Sequence, residues 1–346
     1  MIKFSVLITC ALISACAAQT PPATELRLPV PIANNAVTLV GDTALSFGGL
    51  LSGKTWEDTT HRAFACELTD GTCREIAGLP DGIGRLASVA VTVQNKAYVF
   101  GGYTVAADGA EVSTPQIWAF DVRDESYQPM KPMPVPVDDA MALVYLDRYV
   151  FLVSGWHDHD NVDLVQVFDT QENRWFSATA FPGNPVFGHA GGIVDEVMLV
   201  CDGVKVVPPS VPGARRTFEG SPACWRGEID RQDLTQINWS LAGSLPPAGY
   251  RMAGAGFEGA IWFAGGTDNP YNYNGIGYNK VPAQPSQHVW RYDIITGEFE
   301  VFADKPMASM DHRGLLVHQG QFVIVGGIGE NQQVLDTVQV FKPSAK

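Results

Sequence analysis

Short apolar runs recur along this chain, and each ends in a pair of small residues. Residues 44–47 (ALSF) precede Gly48-Gly49, 97–100 (AYVF) precede Gly101-Gly102, 261–264 (IWFA) precede Gly265-Gly266, and 322–325 (FVIV) precede Gly326-Gly327. Two looser copies complete the series: 150–153 before Ser154-Gly155, and 197–201 before Asp202-Gly203. Apolar runs this short, bounded by turn-forming residues, predict buried strands. The paired glycines allow a sharp bend and a close approach of neighbouring backbone. Copies about 50 to 60 residues apart predict a repeat architecture with one sheet per copy.

Two further signals keep step with the first. An acidic residue is followed six positions later by an aromatic at Asp121/Tyr127, Asp169/Trp175 and Asp293/Phe299, with Asp230/Trp239 as a longer version. A proline then closes each unit, at Pro80, Pro134, Pro182, Pro246 and Pro306. Six small-residue pairs against five such prolines leave one unit split between the chain ends. The segment ending at Pro29 is thus expected to pair with a last strand over 337–341 and close a ring. The pattern predicts an all-β, six-bladed propeller, an arrangement that leaves little exposed sheet edge. No helix-period segment competes with it.

Composition narrows the setting. A formal charge of −14 argues against nucleic acid and against direct adhesion to an anionic membrane, both of which depend on excess Lys and Arg. Lys3 followed by an apolar run over 4–18 fits a signal peptide and is too short to span a bilayer. The run contains Ile13-Ser14-Ala15-Cys16, which reads either as a lipobox, with Cys16 lipidated, or as ordinary cleavage after Ala15 or Ala17. The expected organisation is a signal over 1–16, a linker over 17–24 and one propeller over 25–346, in the periplasm or held to the outer membrane by a lipid. Four cysteines remain in the mature chain. Local pairing of Cys66 with Cys73 and Cys201 with Cys224 is favoured, because the blade assignment puts each pair on neighbouring antiparallel strands.

With these repeats the chain resembles the bacterial exported kelch propellers that include N-acetylneuraminate mutarotase. The resemblance implies an acidic sugar or an envelope glycan as partner, no cofactor, and a long fourth-blade loop carrying a glutamate directly after the glycine, then a Pro-Gly-x-Arg-Thr element. Arg216-Thr217 matches the second element, whereas the glutamate position holds Val204. Mutarotation needs a positioned proton acceptor. Glu219 in the same loop and Glu330 in the sixth blade are the candidate replacements, beside Arg216. A noncatalytic glycan- or protein-binding scaffold is the competing expectation.

Ligands of propellers usually sit at one mouth of the channel, on loops between strands. Counting back from the small-residue pairs gives one mouth candidate per blade: Asn35, Arg85, Asp139, His189, Arg251 and Arg313, with His312 beside the last. The three arginines read either as an anion pocket or as partners for groups between blades. The loop over 267–285 offers Tyr271, Tyr273 and Tyr278 among asparagines, which suits a polyhydroxylated ligand. His157 and His159 alternate with Asp158 and Asp160, but residues in that pattern are commonly just solvated, and no metal is expected. No adjacent Tyr-His pair supports copper oxidase chemistry.

Overall fold

The computed structural model describes residues 26–211, 213–244 and 249–346; the expected signal segment, Cys16, the 17–24 linker and Pro246 lie outside the described residues. Five sheets have four antiparallel strands each, within 36–76, 89–129, 141–178, 190–244 and 253–302; a sixth, over 316–341, has three. These are blades 1 to 6. Among the described residues there is no α-helix, only two short 3-10 turns. The first strand of every blade lines a central channel cavity of about 280 Å³.

The repeat signals act as joints. Asp169 Oδ1 accepts the N–H groups of Gln171 and Glu172, and Asp293 Oδ1 those of Ile295 and Thr296, so the acidic residue holds the turn into the fourth strand. The aromatic six positions on reaches the preceding blade: Tyr127 Oη donates to the Ala77 carbonyl at 2.7 Å, and Trp175 Nε1 to the Lys131 carbonyl at 3.0 Å. Between blades the packing is aromatic and aliphatic, as where Phe47 meets Phe120 at 5.5 Å. Burying one such side chain stabilises by about 1.5–3 kcal/mol. Both disulfides join directly opposed residues of adjacent strands, Cys66 with Cys73 and Cys201 with Cys224.

Both residues of every small pair have positive φ, including the non-glycine members Ser154 (53°) and Asp202 (61°). The residue after each pair then bridges back toward the start of its own blade: Ala33 with Leu50, Leu86 with Tyr103, Asp138 with Trp156, Phe187 with Val204, Tyr250 with Thr267, Met310 with Ile328. Next to each bridge stands a left-handed residue: Asn34, Ala87, Asp139, Gly188, Arg251 and Asp311, with φ of 56°, 54°, 48°, 64°, 52° and 70°.

These left-handed residues form a ring around the mouth. The N–H of Ala87 donates to the carbonyl of Asn34, Asp139 to Ala87, Gly188 to Asp139, Arg251 to Gly188, and His312 to Arg251, at 2.8–3.3 Å. At the sixth junction, where blade 6 meets blade 1, a side chain takes over: Arg313 Nη2 donates to Asn34 Oδ1 at 2.8 Å. At the outer edge of blade 6, Arg27 forms an antiparallel bridge with Thr337, and Val338 N–H donates to the Leu26 carbonyl at 2.9 Å.

Candidate functional site at the channel mouth

The ring aims charged side chains at the axis. Arg251 Nη2 donates to Asp139 Oδ2 at 2.5 Å, and Nη1 to Asp311 Oδ1 at 3.3 Å. Arg313 Nη2 lies 2.8 Å from Asp139 Oδ1 and 3.5 Å from Asp311 Oδ1. All four side chains are buried. Burial pushes the Asp139 carboxyl up, but the charges of Arg251 and Arg313 outweigh it and hold the group below the ordinary range. At Asp311 burial wins and the carboxyl is pushed up. Two guanidiniums and two carboxyls thus form a compensated floor. Asp139 belongs both to the channel cavity and to a second cavity outside it.

That outer cavity, about 190 Å³, is walled by loops of blades 2 to 5. Blade 2 contributes Tyr103 and Glu111 from a two-stranded ribbon, Tyr103–Val105 with Glu111–Ser113. Blade 4 contributes Arg216 and Phe218 from the Val204–Val207 and Thr217–Gly220 ribbon and its turn. Phe218 stacks on Tyr278 of blade 5 with centroids 4.2 Å apart, and Trp156 meets Phe187 edge-on at 5.5 Å. The Arg216 guanidinium lies over Trp156 at 4.8 Å and Phe218 at 5.7 Å, and donates to the His159 carbonyl. Unlike Arg251, which also lines this cavity, it makes no contact ion pair with a carboxylate among the described residues; Glu111 acts on it only through longer-range charge.

Several expected site residues sit elsewhere. Arg85 is buried and paired with Asp81, away from the outer cavity. Arg313 is committed to the floor, so the expected trio of free mouth guanidiniums does not assemble. His189 lines the channel with Nε2 donating to the Val153 carbonyl, and burial lowers it to about 4. His312 is held by Ser309, and burial lowers it to about 3. Asn35 donates to Ser46 Oγ. Tyr271 is fully buried beneath Arg251, 5.0 Å from its guanidinium, and Tyr273 packs toward Leu50, Leu86 and Tyr103. Neither lines the outer cavity; Tyr278 does.

The two expected proton acceptors do not reach the mouth. Glu219 faces Lys205 across its ribbon at 3.7 Å, and Glu330 belongs to a separate surface cavity near Arg27. Val204 is fully buried against Phe187 and Tyr250, a packing role in which a carboxylate would lack a charged partner. Besides Asp139 of the floor, the carboxyls that do face the cavity are Glu111 and Asp138. The sequence pattern passed over Glu111 and Asp138, because Glu111 lies in an unassigned loop and Asp138 beside Asp139, already chosen. His157 and His159 form no metal-binding group among the described residues.

A kelch motif matches residues 84–134, which cover the start and strands of blade 2. The solved structure titled "Structure of YjhT" superposes with a TM-score of 0.70 over 91% of this chain and 98% of that one, at 13% identity. The chain is a six-bladed propeller of the kelch type. Among curated kelch-repeat proteins, Kelch-like protein 15 of Danio rerio is 23% identical over 261 residues, and that of Homo sapiens 21% over 269. Each match covers 72% of this chain and 40% of the relative, so this kelch propeller spans about two fifths of the length of the curated relatives it matches.

Proposed function

We propose that the outer cavity binds a single acidic sugar of the N-acetylneuraminate class and accelerates its anomerisation, in an exported setting supported by the two disulfides. The observation that carries this reading is Arg216: a cavity guanidinium laid on Trp156 and Phe218 and in ion-pair contact with no carboxylate among the described residues, Glu111 of the same wall acting on it only at longer range. Such a group offers paired donors to a ligand carboxylate. The flat faces of Trp156, Phe218 and Tyr278 suit the C–H side of a pyranose, and Asn272 stands at the edge for its hydroxyls. A cavity this small suits one sugar unit rather than an extended glycan.

The kelch scaffold and the closed, charge-compensated floor also favour a second reading, a noncatalytic module that holds a glycan or partner at its rim. Proton NMR of signal-free protein with freshly dissolved α-N-acetylneuraminate separates the two. Faster approach to the anomeric equilibrium than in buffer supports the enzyme, saturation transfer without acceleration leaves the module, and neither removes the acidic sugar.

A further inference from the structure

The position that bridges each small-residue pair is apolar in five blades: Ala33, Leu86, Phe187, Tyr250 and Met310. In blade 3 it is Asp138, 3% exposed. The fold therefore does not need a carboxyl there, and an uncompensated buried carboxyl costs free energy. Asp138 faces the outer cavity, and its Oδ2 accepts a hydrogen bond from Ser113 Oγ at 2.6 Å. Ser113 is itself fixed, since the Asp158 N–H donates to its Oγ and its own N–H donates to Asp158 Oδ1, both at 3.1 Å. Two residues before Ser113, on the same ribbon, Glu111 lines the cavity.

Resting on the acidic-sugar reading, we infer that Asp138 and Glu111 are the catalytic residues of the mouth cavity, Asp138 as the proton donor and Glu111 as the proton acceptor in opening a cyclic hemiketal. Burial pushes the Asp138 carboxyl well up, reinforced by the neighbouring charges of Asp139 and Glu111 and offset in part by Ser113 and Arg251. That direction favours the protonated carboxyl, the form with a proton to give. Glu111 is also raised, by partial desolvation in the cavity wall and by Asp139, while Arg251 and Arg216 pull it back. In the opening step Glu111 takes the proton of the anomeric hydroxyl, the bond from the anomeric carbon to the ring oxygen breaks, and Asp138 protonates that oxygen. The open-chain ketone then turns one face or the other. Closure returns the proton from Glu111 to the new anomeric oxygen and one from the chain hydroxyl to Asp138. Charge and atoms balance, with no oxidant, metal or cofactor.

The test uses the whole signal-free protein and three variants, Asp138→Asn, Asp138→Leu and Glu111→Gln, with N-acetylneuraminate as probe. Asp138→Leu copies what blade 2 carries at Leu86, so it should fold at least as well as the parent, and Asp138→Asn preserves shape. The expected result is sugar binding within about threefold of the parent and a drop of about 100-fold or more in anomerisation rate, the usual scale for a lost acid–base group. Infrared difference spectra of parent against Asp138→Asn should also show a protonated carboxyl band at neutral pH. Parent-like acceleration by Asp138→Asn, or no such band, overturns the inference while leaving sugar binding intact. Failure of the parent to bind the sugar instead overturns the acidic-sugar reading beneath it.

Discussion

Arg251 and Asp139 hold the same ring position in blades 5 and 3, and their side chains meet across blade 4, Nη2 to Oδ2 at 2.5 Å. A contact between alternate blades requires that the intervening blade leave room. Blade 4 does so with Gly188, where an added Cβ would meet the Tyr250 ring at 2.1 Å and the Arg251 Cγ at 3.1 Å. The pair thus ties three blades together between the channel and the outer cavity, which makes it a structural floor first and a ligand contact second.

Asp139→Ala leaves two buried guanidiniums facing Asp311, so stability should fall by about 3–5 kcal/mol in chemical denaturation. Asp139→Leu with Arg251→Met should lose less than the single change, because neither buried charge is then left alone. A single-variant loss no larger than a surface substitution, about 0.5 kcal/mol, would show that the floor is not structural.

Gly188→Ala tests the passage for Arg251. Overpacking costs about 1–3 kcal/mol and the left-handed backbone at φ 64° adds about 1–2. Thermal and chemical unfolding should register the sum. Ala87, which already holds a Cβ in the same backbone conformation in blade 2, serves as the control when changed to Gly.

The ring explains which parts of the site were legible in the sequence. Blade number, the small-residue pairs and the local disulfides follow from patterns that repeat and carry their own physical reason. The mouth positions followed only in part: Asp139 and Arg251 are ring residues, but Asn35 and His189 fall one place beyond Asn34 and Gly188, Arg85 two before Ala87, and Arg313 two beyond Asp311. Counting back from a glycine pair fails when hairpins differ in length, and the left-handed positions here hold Ala, Arg and Asp as well as Asn and Gly. Glu111 and Phe218 were hidden for another reason. They reach the cavity on two-stranded ribbons inside loops, whose pairing no repeat signal announces.

The two disulfides should differ in weight. Cys201–Cys224 closes 23 residues of separation and Cys66–Cys73 closes 7. On the chain-entropy account the longer loop is worth roughly 1 kcal/mol more, within a typical 2–4 kcal/mol per bridge. Paired Cys→Ala variants compared by denaturation should show this order. Equal losses would assign the effect to local packing.

Acid should weaken the protein through His189. Its folded value of about 4 lies below the ordinary 6.5 because burial disfavours the charged ring. Between those values the unfolded chain binds a proton that the folded one does not, so stability falls as pH drops from 6.5 to 4, by up to about 1.4 kcal/mol per unit. The buried carboxyls of Asp138, Asp202 and Asp311, all raised, act in the opposite sense above the ordinary carboxylate range. The difference between parent and His189→Gln isolates the histidine. The stability deficit of the variant should narrow as pH falls, and a constant deficit would mean that the ring is not buried neutral.

Arg216 and Arg251 both line the cavity, yet they should respond to mutation in opposite ways. Arg216 is exposed and held by aromatic faces and one carbonyl without a contact ion pair, so Arg216→Ala should leave stability within about 0.5 kcal/mol of the parent. Removing its charged hydrogen bonds to a ligand carboxylate should cost about 1.5–3 kcal/mol of binding, a loss of roughly 10- to 150-fold in affinity. Arg251→Met should instead lower stability and, where the protein stays folded, leave affinity closer to that of the parent, since its guanidinium is spent on Asp139 and Asp311. Titration calorimetry with N-acetylneuraminate, paired with denaturation, reads both quantities. If Arg216→Ala binds as tightly as the parent, the carboxylate is not recognised by that guanidinium and the sugar must be placed elsewhere on the mouth.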